Sequence, residues 1–158
     1  MSKKLYIVVP AYNEERTIEK VVDDILSNSM VDKCIVVDNN SSDITQKLVR
    51  RQVKRYGNKL EILYEKKQGK GNALKLALDT LASQDVDYIG LIDADDTYPA
   101  KEFDSMLQDL VDRKLDMILG NRFQLGGYQK SNDRPGHVFG NKIISKIIKI
   151  NSGVEVED

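Results

Sequence analysis

Short apolar runs alternate with amphipathic stretches along most of this chain. Leu5-Tyr6-Ile7-Val8-Val9 is a continuous apolar run, as expected of a strand buried on both faces, and Pro10 should end it. Ile18, Val21, Val22, Ile25 and Leu26 recur at helical spacing, with Thr17 as a candidate cap and Lys20 where a capping box would have Glu. Cys34 to Val37 predicts a second strand. The turn-rich string Asp38 to Asp43 leads into a helix that carries Ile44, Leu48 and Val53 and runs to about Tyr56, where Gly57-Asn58 stops it. Leu60 to Tyr64 alternates and predicts a third strand nearer an edge. Leu74, Ala77, Leu78 and Leu81 mark the next helix, opened by Gln68 to Asn72.

Tyr88 to Asp93 follows and predicts a buried central strand. Pro99 introduces a helix bearing Phe103, Met106, Leu107, Leu110 and Val111, and Asp116 to Gly120 predicts a fifth strand. A polar loop from about Phe123 to Pro135 precedes a last helix, about His137 to Ile150, with Ile143, Ile144, Ile147 and Ile148. Regular strand–helix alternation predicts an α/β fold, a mostly parallel sheet with helices on both faces. Neither an internal repeat nor a low-complexity linker divides the chain, so one domain is expected over residues 1–158. No strand follows the last helix, and the expectation is that the C-terminal part of the fold is incomplete.

Composition narrows the class. The net charge of −1 offers no basic field for nucleic acid. Cys34 is the sole cysteine, which excludes an internal disulfide and fits a reducing compartment. No apolar segment approaches the roughly 20 residues of a membrane span, and no signal peptide is visible. A cytoplasmic protein is expected. Contact with the cytoplasmic membrane face would be peripheral, for instance through the last helix, where Lys142, Lys146 and Lys149 flank the isoleucines.

The candidate chemistry lies in four loops that a parallel sheet would gather at its carboxyl edge, where open α/β sheets bind ligands. Asp93-Ala94-Asp95 follows the predicted central strand, and Asp96 stands directly behind. Carboxylates there suit a hard divalent cation, and such a cation suits a diphosphate. Alone, Asp-x-Asp is more often a solvated turn. The other loops change that balance. Tyr12 could lie against a base, and Glu14 could accept from ribose hydroxyls. Asp38 and Asp43 offer carboxylates near a base or sugar, although Asp43 serves equally as a helix cap. Lys70 stands between Gly69 and Gly71 at a helix start, a favourable place for a phosphate.

The strings Val8 to Glu15, Val36 to Asp43, Gly69 to Ala73, Ile92 to Asp95 and Leu119 to Phe123 resemble family 2 glycosyltransferases. The pattern is most similar to the dolichyl-phosphate mannosyltransferase-like branch, and it covers nearly the whole chain in order. The resemblance implies a glycosyltransferase-A fold, a GDP- or UDP-linked sugar donor, Mg²⁺ or Mn²⁺ on the diphosphate, and inversion at the anomeric carbon. By the same resemblance, Pro10, Tyr12, Asn13 and Glu14 line the nucleoside pocket with Asp38 and Asp43 beside it. Asp93 and Asp95 hold the metal, with Ala94 between them against the nucleotide. Arg122 and Arg134 match arginines that relatives use near the phosphates or acceptor. Two positions depart from the pattern: Asn39 stands where relatives often have a second Asp, and Thr97 where many have Gln.

The implied reaction moves the sugar to a polyprenyl (dolichyl-type) phosphate. A sugar hydroxyl would call for a carboxylate base, whereas a phosphate monoester, with its second pKa about 6, arrives ionised. No His or Glu in these loops stands out as that base, which favours a phosphate acceptor. His137, the only histidine, reads as a surface residue at a helix start. The competing readings are a saccharide acceptor, a non-catalytic or partner-dependent nucleotide-sugar-binding domain, and a receiver-type signalling domain. The last leaves the Pro10–Glu15 and Gly69–Ala73 loops without a role. A dinucleotide dehydrogenase lacks its G-x-G-x-x-G after the first strand.

Overall fold

Four of the apolar runs pair into one parallel sheet. In the computed structural model, which describes residues 3–120, β1 (Leu5–Ala11), β2 (Val31–Asp38), β3 (Leu60–Tyr64) and β4 (Tyr88–Leu91) lie in the order β3-β2-β1-β4. Every pairing is parallel, and α1 (Ile18–Ser27), α2 (Thr45–Tyr56) and α3 (Lys70–Leu81) make the crossovers. α4 (Glu102–Asp112) follows β4. The chain winds one way from β1 to β3, then crosses to the other side of β1 for β4. The direction therefore reverses at β1, and a crevice opens beyond the carboxyl ends of β1 and β4.

The two faces of the sheet bury separate clusters, as period-2 alternation requires. Ile7, Val9, Cys34 and Val36 pack with Ile18, Val22 and Ile25 of α1 and Val49 of α2. Val8, Ile35 and Val37 pack with Ala73, Ala77 and Leu81 of α3. Small alanines let α3 approach the sheet closely. On α2 the buried positions are Thr45, Val49 and Gln52. The expected stripe of Ile44, Leu48 and Val53 is thus turned by about one residue, and Ile44 is exposed. Cys34 is fully buried, and burial pushes its thiol pKa far up, so it packs as an inert apolar group.

Three expectations change. β1 continues through Pro10 to Ala11. Val8 presents its carbonyl to Ile92 on the β4 side, whereas Ala11 presents its carbonyl to Asn39 on the β2 side. Pro10 has the same parity as Val8, so its missing N–H points where β4 has already ended. Among the described residues the Tyr88 run, expected as a central strand, has a sheet neighbour on one side only. β4 forms an edge of the described sheet, and Ile89 and Leu91 are 40% and 52% exposed. Those two side chains share the face of α3, which packs on β1, β2 and β3. Finally, Asp116 to Gly120 forms no strand among the described residues. Met117 and Leu119 stand 70% and 78% exposed, and an apolar run becomes a strand only where a ladder accepts it.

Residues 1–107 and 108–158 form two contact units. The sheet and all three crossover helices belong to the first. In the second, Lys114 at φ 53 ends α4, with Leu115 N–H donating to the Leu110 carbonyl. The expected 123–135 loop and last helix, with Arg122, Arg134 and His137, lie outside the described residues.

Candidate functional site

The loops leaving β1, β2 and β4 and the start of α3 converge at the carboxyl edge. Between them is a cavity of about 230 Å³. Pro10, Ala11, Tyr12 and Glu14 line it from the first loop, Asn39 from the second, Lys70 from α3, and Asp93, Ala94 and Asp95 from the fourth. Among the described residues the sequence singled out, Asn13, Asp38 and Asp43 are not part of this lining.

The first two loops brace each other. Asn13 holds φ 56, a left-handed conformation that Asn tolerates better than most residues. Its N–H donates to Ser41 Oγ at 3.0 Å, and its Oδ1 accepts from Ser42 N–H at 2.8 Å. Glu14 N–H donates to Thr45 Oγ1 at 2.9 Å. Asp43 is occupied by the same bracing. Its Oδ1 accepts from Thr45 N–H and Thr45 Oγ1, and its Oδ2 from Glu15 N–H at 3.2 Å. Partial burial pushes the Asp43 carboxyl up, but these hydrogen bonds outweigh it and hold the pKa below the usual value.

Asp38 ends β2 at 1% exposure, and neither carboxylate oxygen has a hydrogen-bond partner among the described residues. A buried carboxylate left so is costly unless a donor reaches it. It therefore suits a ligand that brings its own N–H or O–H groups to this edge.

The fourth loop carries most of the charge. Ile92 and Ala94 are buried and anchor it, which leaves Asp93 and Asp95 directed outward. Asp93 forms an ion pair with Lys70. Asp95 Oδ1 accepts from Thr97 N–H at 3.0 Å, so Thr97 meets Asp95 through its backbone. Asp96, at φ 61, is gripped through both oxygens by Lys20 Nζ at 2.5 and 2.6 Å. This clamp joins positions 76 apart, and along the chain Lys20 stands out only as the residue where a capping box would have Glu. Thr17, the expected cap, makes no capping bond. Its Oγ1 donates instead to Glu14 Oε2 at 3.1 Å.

Glu14 records the electrostatics of the site. Burial raises its carboxyl pKa, the Thr17 hydroxyl partly opposes the rise, and Asp95, Asp43 and Asp93 push it further up. Acidic groups that repel one another in this way favour a cation. Among the described residues, no cluster of three or more side chains forms a complete metal cage. The pair Asp93 and Asp95 fits instead a Mg²⁺-like ion that keeps one or two carboxylates and takes its other ligands from phosphate oxygens and water.

The model of glycosyl transferase family 2 matches residues 6–156. The chain belongs to this family. Among curated proteins it is 31% identical over 136 residues to protein RfbJ of Shigella flexneri, covering 86% of this chain and 97% of RfbJ. It is 27% identical to a UDP-N-acetylglucosamine–dolichyl-phosphate N-acetylglucosaminyltransferase of Methanococcus voltae, covering 77% of this chain and 53% of that one. It is 31% identical to the dodecaprenyl-phosphate galacturonate synthase of Rhizobium johnstonii, covering 77% and 36%. The chain thus spans nearly all of RfbJ but about half or less of the other two. Among solved structures, the Pyrobaculum calidifontis mannosyltransferase PcManGT, in complex with GDP-Man and Mn²⁺, superposes with a TM-score of 0.52 at 28% identity, over 60% of this chain and 28% of that one. S. aureus TarS residues 1–349 share the fold at 20% identity, with a TM-score of 0.57 over 70% and 33%. The architecture is the glycosyltransferase-A fold.

Proposed function

We propose that this family 2 domain transfers a sugar, with inversion, from a nucleoside-diphosphate-sugar to a polyprenyl-type phosphate. The observation that carries the reading is the convergence of Tyr12, Glu14, Lys70, Asp93 and Asp95 on one cavity at the sheet edge. In this reading Pro10 and Tyr12 hold the base, and Glu14 meets the ribose. The unpartnered oxygens of Asp38 accept from the donor groups of the nucleoside. Asn13 and Asp43 keep the first two loops in register. Ala94, small and buried, lets the diphosphate lie between its acidic neighbours.

Asp93 and Asp95 would hold Mg²⁺ or Mn²⁺, as the GDP-Man and Mn²⁺ complex of PcManGT supports. When bound, the ion supplies positive charge where the leaving diphosphate becomes more negative. Lys70 then exchanges its partner, from the Asp93 carboxylate to a phosphate oxygen. Arg122 and Arg134 are assigned to the phosphates and acceptor by resemblance alone. This reading assigns Glu14 and Asp38 to the nucleoside and Asp93 and Asp95 to the metal, which leaves none of them as a base, and an ionised lipid phosphate needs none. The names of the M. voltae and R. johnstonii relatives support the acceptor class. A lipid acceptor would bring the protein to a membrane surface. Among the described residues no helix is long and apolar enough to cross one.

The test is release of nucleoside diphosphate from UDP- and GDP-sugars with Mn²⁺, with and without a short polyprenyl phosphate. Release that requires the lipid phosphate is expected. Release to a saccharide would transfer the proposal to another acceptor, and metal-dependent binding without release to any acceptor would remove catalysis from it.

A further inference from the structure

We propose that Asn39 is a positioning residue that latches the β3–α3 loop and thereby sets Lys70 at the cavity. The inference rests on the nucleotide-sugar reading for its consequence, but on this structure for its geometry. Asn39 is 4% exposed, and both polar atoms of its side chain are hydrogen-bonded. Its backbone N–H donates to the Ala11 carbonyl at 2.8 Å, which ties it to the end of β1. Its Nδ2 donates to the Glu65 carbonyl at 3.2 Å and to the Lys67 carbonyl at 2.9 Å. Its Oδ1 accepts from Gly69 N–H at 2.7 Å. Gly69 has φ 126 and directly precedes Lys70, the first residue of α3. One side chain thus fixes both ends of the segment that delivers the lysine.

The chemistry requires an amide. A carboxylate has no protons to donate. At position 39 it would set an anionic oxygen against two carbonyl oxygens while still accepting from Gly69. It would also place a second buried negative charge next to Asp38, whose oxygens lack partners among the described residues. The Asn that departs from the family pattern is therefore matched to its surroundings, and it acts on the phosphate end of the cavity through Lys70.

The test is a double-mutant cycle on nucleotide binding, with UDP and GDP as probes, each with Mn²⁺, by isothermal titration. Asn39→Asp should weaken binding about tenfold, on the scale of one lost charge-assisted contact. If the latch acts through Lys70, adding Asn39→Asp to Lys70→Ala should weaken binding by no more than about twofold beyond Lys70→Ala alone. Losses that multiply in the double variant would overturn the coupling. Amide hydrogen exchange on the ligand-free protein gives a second readout. Asn39→Ala should speed exchange at Gly69 and leave Val36 and Val37 protected. Unchanged exchange at Gly69, or uniform acceleration through the sheet, would overturn the latch. Should neither nucleotide bind the unaltered protein, the functional reading fails while the exchange measurement still decides the latch.

Discussion

Lys70, at the first position of α3, and Asp93, two residues beyond β4, are joined by an ion pair at the cavity. Without ligand the lysine stands where a cation would be attracted. Lys70→Ala should therefore have opposite effects on two ligands. Affinity for Mn²⁺ alone should rise, because Asp93 loses its competing partner, while affinity for a nucleoside diphosphate should fall by about tenfold. Titration of metal alone, then of nucleotide, separates the effects. A parallel loss of both would show that the pair only holds the fold.

Glu14 should make stability depend on pH. Its folded pKa is raised, by burial first and then by Asp95, Asp43 and Asp93. Its contribution is fully present below the ordinary Glu value and is lost as pH rises through the folded pKa. Glu14→Gln keeps an acceptor for Thr17 and removes the repulsion. The variant should melt a few degrees, about 1–3 °C, above the parent at pH 7, with the gain vanishing below about pH 4. Melting curves across that range give the answer, and a gain that persists at low pH would assign the effect to something other than charge.

Asp43 has the opposite sign. Burial works against its ionisation, but the Thr45 and Glu15 hydrogen bonds depress its pKa. Its contribution is present above the ordinary Asp value and is lost as pH falls through the folded pKa. Asp43→Ala should destabilise by about 1–2 kcal/mol at pH 7, the scale of a lost helix cap. In urea titrations the difference from the parent should shrink as pH drops below about 4.

Gly90 tests the packing beneath the acidic loop. A Cβ there would lie 2.5 Å from Ile7 Cδ1 and 2.6 Å from Phe103 Cε1. Gly90→Ala should cost about 1–3 kcal/mol through overpacking. The urea midpoint should fall with little change in slope.

Much of this was legible in the amino-acid pattern, because strand runs such as Leu5 to Val9 and the stripe of α1 carry their own periodicity. The loops at the carboxyl edge were legible as well, since a parallel sheet must bring them together. What escaped depends on partners distant in sequence. The place of the Tyr88 run at an edge of the described sheet follows from strand order. The missing strand at Asp116 to Gly120 follows from the lack of a ladder among the described residues. Pro10 reads as a strand end, and only the early end of β4 lets β1 run past it. The Lys20–Asp96 clamp spans 76 positions. Asn39 read simply as a departure from a family pattern, because its role depends on carbonyls of another loop.

The central claim is that Asp93 and Asp95 support a cation-bound diphosphate in this cavity. The most direct measurement is the thermal shift produced by UDP- and GDP-sugars, with and without Mn²⁺, in the unaltered protein and in Asp95→Ala. Ligand at about a hundredfold excess over its dissociation constant stabilises by about 2.7 kcal/mol, which melting readily detects. A shift that needs Mn²⁺ and disappears in Asp95→Ala is predicted. An equal shift in the variant, or one indifferent to the metal, would contradict the account.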